Sequence, residues 1–181
     1  RILPPAAKAS KLPDALRAMG GDDTQMQQLQ LRALHLARGS MPVLITGASG
    51  TGKNKLAYSM HKVSGQNAPF VTLICADIPE DRFEQTLFGN GDLKQGVLES
   101  ARGGTLLLDE VGEMPLSVQS RLAHMLDAGT ASGALGVKVL ASSAYDVAQQ
   151  VHEGRFRSDL LFRLSATNLK IPPLVDRTDL D

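Results

Sequence analysis

Short blocks of consecutive apolar residues alternate along the chain with stretches where apolar positions return every three or four residues. The two periods predict alternating strands and helices. Met26, Leu29, Ala33 and Leu36 recur at helical spacing, with Leu34 and Ala37 flanking the stripe; Asp22, Asp23 or Thr24 can cap the start and Gly39 can end the helix. Met41–Thr46 reads as a buried strand, followed by a Gly-rich turn and a helix carrying Leu56, Ala57 and Met60. Phe70–Cys75 predicts a second strand, Asp81–Leu87 a short helix, and Thr105–Leu108 a third strand ending in Asp109 and Glu110. Pro115 suits the first turn of a helix reaching about Asp127, with Leu116, Leu122, Met125 and Leu126 inward and Gly129 just past its end. Val137–Ala141 predicts a fourth strand, Tyr145–His152 and Arg157–Leu164 two helices, and Thr167–Ile171 a fifth strand stopped by Pro172 and Pro173. Apolar strands alternating with helices predict an α/β fold, a five-stranded parallel sheet with helices on both faces. The mixed, Pro-containing residues 1–20 read as a lead-in to one domain over residues 21–181, without internal repeats.

Composition narrows the function classes. The 181 residues carry 19 basic and 19 acidic side chains, with no basic stripe. A domain that itself grips nucleic acid usually shows one, so DNA contact is expected through a separate domain. Apolar runs of six residues or fewer fall far short of the roughly 20 that span a bilayer, and no membrane partner is expected. The single cysteine, Cys75, rules out an intramolecular disulfide, and no Cys/His cluster has zinc spacing. A reducing cytoplasmic location is the default expectation. A chain that opens on Arg1 reads as part of a longer protein.

Gly47-Ala48-Ser49-Gly50-Thr51-Gly52-Lys53 matches G-x-x-x-x-G-K. Glycines let backbone N–H groups converge on phosphate oxygens, the following helix offers its positive N-terminus, and the lysine adds a charge at the outer phosphates. A Gly-rich surface turn reads the same in isolation, but here the motif follows an apolar strand and opens an amphipathic helix. Asn54 stands where Ser or Thr usually supplies a hydroxyl to Mg²⁺. Asp109 and Glu110, at the end of Leu106-Leu107-Leu108, are suited to hold Mg²⁺ and to polarise an attacking water. A solvated acidic pair at a strand end is the plainer alternative, but parallel sheets carry ligands at their strand C-termini, where both motifs fall. Arg157 and Arg163, six residues apart, read on their own as surface arginines pairing with acids such as Asp159. His35, His61, His124 and His152 read as surface or core-edge residues, and Cys75 as a small buried hydrophobe.

GASGTGK (47–53), PF (69–70), IPED (78–81), LFG (87–89), GGTLLLDEVGEMP (103–115), GRFRSDLLFRL (154–164) and IPPL (171–174) together resemble the central AAA+ ATPase domain of sigma-54-dependent enhancer-binding regulators, over about residues 20–181. The resemblance implies ATP or ADP and Mg²⁺ as cofactors. It implies assembly with further copies of the chain into a ring, usually a hexamer, and RNA polymerase as partner. Gly47, Ser49, Gly50, Thr51, Gly52, Lys53 and Asn54 then fall in the phosphate loop and Asp109 at the metal. Glu110 is then the catalytic acid, with Arg157 and Arg163 the paired arginines that act on a neighbour's nucleotide.

Four departures qualify these expectations. The loop bearing GAFTGA, which in the family touches sigma-54, is absent between Gly89 and Gly96. Ile74 stands where the family has an Asn that gates the catalytic Glu, Ala144 where it has a sensor Asn, and Asn54 where it commonly has Glu. The short loop resembles the TyrR-like subgroup, which works with the ordinary polymerase. The family's helical lid would begin where the chain stops, at Asp181, so the domain is expected to lack it. The expected function is an ATP-binding regulator domain, weak or inactive in hydrolysis and uncoupled from sigma-54, with nucleotide controlling oligomerisation. An active ATPase that remodels sigma-54 polymerase is the alternative, and a P-loop enzyme acting on a small molecule a more distant one.

Overall fold

In the computed structural model, which describes residues 12–17, 24–65, 67–90, 95–127 and 135–173, five strands form one wholly parallel sheet. They are β1 (Val43–Thr46), β2 (Phe70–Ile74), β3 (Thr105–Asp109), β4 (Lys138–Ser143) and β5 (Asn168–Lys170), in the order β2-β3-β4-β1-β5. The helices are α1 (Asp14–Arg17), α2 (Thr24–Ala37), α3 (Lys53–Val63), α4 (Glu80–Phe88), α5 (Val97–Ser100), α6 (Leu116–Asp127), α7 (Val147–His152) and α8 (Ser158–Leu164). The calls on Asp22, Asp23 and Gly129 lie outside the described residues.

Side chains alternate between the two sheet faces, and each face builds its own core. Leu44, Leu106, Leu108, Val139 and Ala141 pack with Phe83, Leu87, Val118, Leu122, Leu160 and Leu164. Val43, Ile45, Leu107, Leu140 and Leu169 pack on the other side with Met26, Leu29, Ala33, Leu56 and Met60. Leu12 and Leu16, within the segment read as a lead-in, join this second core, and the Ser59 hydroxyl donates to the Ala15 carbonyl at 2.8 Å.

Several local expectations need correction. Leu116 is 47% exposed, and Val118 and Gln119 face inward instead. Counting back three and four residues from buried Leu122 reaches 119 and 118, whereas 116 is six back and points elsewhere. Pro115 precedes the helix and accepts from the N–H groups of Val118 and Gln119. Cys75 lies in a 3₁₀ turn just past β2 rather than within it. Strand β4 runs two residues beyond Ala141, because Ser142 and Ser143, paired with Ile45 and Thr46 of β1, are buried with their hydroxyls bonded. Helix α7 starts at Val147, since the Asp146 carboxylate caps it by accepting from the N–H of Ala148 at 2.9 Å. Arg157 is the N-cap of α8 with extended backbone, not a helical residue.

Between α4 and α5 the chain returns on itself at Gly89 and Gln95. Gly89 and Gln95 form an isolated antiparallel bridge; residues 91–94 lie outside the described residues. A Cβ on Gly96 would lie 2.4 Å from the Gly89 nitrogen and the Phe88 carbonyl carbon, so the base of this reversal is closed backbone against backbone.

Candidate functional site

The C-terminal ends of β1, β3 and β4 bring the candidate residues together. The loop after β1 turns through Gly50 (φ 79) and Gly52 (φ 95), left-handed conformations that favour glycine, and runs into α3. No side chain caps α3, and its first turn carries no acid, so its leading N–H groups point toward the loop's interior. The Thr51 hydroxyl donates to the Ala48 carbonyl at 2.8 Å and so braces the loop from within.

Lys53 is only 7% exposed. Its ammonium donates to the carbonyls of Gly47 (3.1 Å) and Ala48 (3.4 Å) and lies 3.3 Å from Glu110 Oε1. Asn54 Nδ2 donates to Asp109 Oδ2 at 2.7 Å, and the Ser142 hydroxyl donates to Asp109 Oδ1. Glu110 sits in the left-handed region (φ 53, ψ 57); its N–H donates to Ser142 Oγ at 3.2 Å, and its Oε2 accepts from the Ala144 N–H at 2.8 Å. Ser49, Gly50, Gly52, Lys53, Asn54, Asp109 and Glu110 line one pocket of about 310 Å³. A larger cavity of about 530 Å³, lined by Gly47, Ala48, Ala144 and Tyr145 among others, includes neither Lys53 nor the acid pair.

These donors fit a phosphate chain with a hard divalent cation. The Lys53 ammonium and the uncapped start of α3 share the pocket with the Asp109 carboxylate and the Asn54 amide bonded to it. Asp109 is the residue that would hold the cation, which would supply charge neutralisation for the phosphates, with the Asn54 amide bonded to its carboxylate.

Arg157 and Arg163 are not part of this pocket. Arg157 pairs with Asp159 at 2.9 Å, and Arg163 pairs with Asp127 at 3.0 Å while donating to the Asp159 carbonyl. Gln119 fixes the entry to α8: it donates to the carbonyls of Met114 (2.7 Å) and Arg155 (3.2 Å) and accepts from the Arg157 N–H (2.8 Å). Cys75 is buried, and its thiol is pushed up to about 12, chiefly by burial and then by the negative charge of Asp109, Glu110 and Glu113. It therefore stays protonated and unreactive. His61 lies at the edge of the core, with Nδ1 2.9 Å from the Thr105 hydroxyl.

Sequence reasoning missed Ser142 and the Ala144 backbone amide. The available signal was a pair of serines closing an apolar strand beside the acid-bearing one. A backbone donor leaves no trace in residue identity.

Residues 19–170 match the family model described as the sigma-54 interaction domain. The chain is 40% identical to the acetoin catabolism regulatory protein of Cupriavidus necator, over 98% of this chain and 29% of that protein. It is 39% identical to the DNA-binding transcriptional regulator NtrC of Escherichia coli (88% and 37%) and 40% to the HTH-type transcriptional regulatory protein TyrR of Salmonella typhimurium (84% and 31%). The chain thus spans well under half the length of these relatives. NtrX from Brucella abortus, crystallised in complex with ATP, superposes with a TM-score of 0.80 at 35% identity, over 87% of this chain and 37% of that one. The P-loop NTPase domain of an Escherichia coli sigma-54 activator shares the fold at a TM-score of 0.64 and 19% identity, over 85% and 99%.

Proposed function

The chain belongs to the sigma-54 interaction domain family, whose fold is that of P-loop AAA+ NTPases, and on that premise we propose that it binds ATP and ADP with Mg²⁺ and uses them to control assembly with further copies of itself. Hydrolysis is slow or absent, and the parent protein does not drive sigma-54 polymerase. RNA polymerase remains its partner in transcription, and DNA is bound through a separate domain.

The observation that carries the uncoupling is the reversal between α4 and α5. Gly89 and Gln95 bridge, and Gly96 packs its backbone on Gly89. Five residues separate the bridged pair, too few for a finger that projects from a ring and pushes on a partner. Nucleotide binding is supported by the convergence of Lys53, the uncapped α3 N-terminus and Asp109 on one pocket. Slow turnover is supported by Ile74, which ends β2 beside Asp109 with no polar side-chain atom. Arg157 and Arg163, away from their own chain's pocket, are placed in this reading at a neighbour's nucleotide.

The working-motor alternative draws on one feature: Lys53, Asp109 and Glu110 are all present and mutually bonded through a shared network. Steady-state ATP turnover by the intact protein, paired with an open-complex assay on supercoiled template with sigma-54 polymerase, separates the two. The proposal expects little turnover and no nucleotide-dependent melting. Robust melting overturns it.

A further inference from the structure

Ser142 lies on β4, next to β3, and is fully buried. Its one hydroxyl touches both acids of the site: it donates to the Asp109 carboxylate and accepts the Glu110 N–H at 3.2 Å. Glu110 is the one non-glycine residue with positive φ among the described residues, a conformation that persists only where the surroundings impose it. Two neighbouring groups at the end of β4 hold it, the Ser142 hydroxyl at its main chain and the Ala144 N–H at its side chain. Asn54, in the first turn of α3, donates to the second oxygen of Asp109. Each oxygen of that carboxylate therefore has a donor, one from the sensor-side strand and one from the phosphate-loop helix.

We propose that Ser142 is a positioning residue of the nucleotide site, holding the Asp109 carboxylate and the left-handed Glu110 backbone in the arrangement that receives a divalent cation with the nucleotide. The inference rests on the nucleotide-binding reading above. A purely space-filling role does not account for the bonds: alanine fits the same strand position, and both interactions of the hydroxyl go to the acid pair.

The test is Ser142→Ala in the full chain, with two readouts. Amide hydrogen exchange at Glu110, without nucleotide, should accelerate by about tenfold relative to Leu107 and Leu108, as expected for loss of one hydrogen bond. In nucleotide titrations, the Mg²⁺ concentration that half-saturates the effect on ATP affinity should rise by about tenfold. ATP affinity in EDTA should stay unchanged, because Ser142 touches nothing in the phosphate loop. A structural role alone would lower thermal stability without that split between metal-dependent and metal-free affinity. Wild-type protein that binds ATP, with the variant unchanged in either readout, overturns the inference alone. Wild-type protein that binds no ATP with or without Mg²⁺ overturns the nucleotide reading and this inference with it.

Discussion

Gln119→Leu removes a side chain that ties three segments together while keeping nearly the same volume. Gln119 is fully buried on α6 and makes three hydrogen bonds, to Met114, Arg155 and Arg157, so it joins the turn after β3 to the loop that opens α8. Leucine can make none of them. Each bond contributes about 0.5–1.5 kcal/mol net, and the buried Met114 carbonyl left behind keeps its desolvation cost, so the expected loss is about 3 kcal/mol. For a domain of this size, a thermal midpoint lower by about 6–12 °C follows. Urea titration at neutral pH, followed by circular dichroism, reads the free energy directly. The slope of the transition should not change, because the native surface is the same. A loss below about 1 kcal/mol would mean that water or main-chain rearrangement replaces these bonds, and would refute the claim that Gln119 anchors the Arg157 turn.

Lys53→Ala should weaken ATP binding more than tenfold in calorimetry, beyond the effect of a point charge in water, because the Lys53 side chain is 7% exposed among converging dipoles; equal affinities would remove the loop as the binding site. Gly96→Ala should destabilise by about 1–3 kcal/mol in urea titration, because its Cβ would meet the backbone of Phe88 and Gly89; a neutral result would mean that the reversal is not closed as described. His61 has its pKa held below the usual value, mainly by burial, so between that folded value and about 6.5 the unfolded chain binds more protons than the folded one. Its contribution is therefore complete above about pH 6.5 and is lost as pH falls below it. His61→Gln, compared with wild type at pH 7.5 and 5.5, should lose less stability on acidification, and parallel losses would contradict the assignment.

The first four strands were legible because each carries a compact apolar block, whereas β5 gives only Leu169 to the core. A parallel sheet covered on both faces demands such blocks, and Val43–Thr46 and Thr105–Asp109 satisfy that demand almost residue for residue. The ends were less legible, for a physical reason. Ser142 and Ser143 lie beyond the expected Val137–Ala141 strand, yet a serine hydroxyl is cheap to bury once it has a partner, and Asp109 and the Tyr145 carbonyl supply partners. Leu116 was misplaced because its hydrophobicity was counted without its angle to Leu122. In the site, Lys53, Asp109 and Glu110, which share one pocket, stood out from motif spacing and strand context, whereas Arg157 and Arg163 were singled out only by the family resemblance. The groups that orient them were not, since Ala144 acts through its N–H and Ser142 through bonds that exist only after β3 and β4 pair.

That distinction changes the weight of the departures from the family pattern. An alanine at 144 offers no side-chain donor to a phosphate, but its N–H still reaches Glu110 at 2.8 Å. In the proposed reading, alanine here withholds a side-chain contact from the nucleotide but leaves the Glu110 carboxylate anchored. Ile74 is different. It is 43% exposed at the end of β2, in register with Asp109, and its side chain brings only hydrocarbon to that rim. The chemical case for slow turnover thus leans on position 74 more than on 144. The mechanical case depends on neither. It is a matter of chain length between Gly89 and Gln95. Restoring a polar group at either position could raise hydrolysis and would still leave five residues where a lever has to reach a partner.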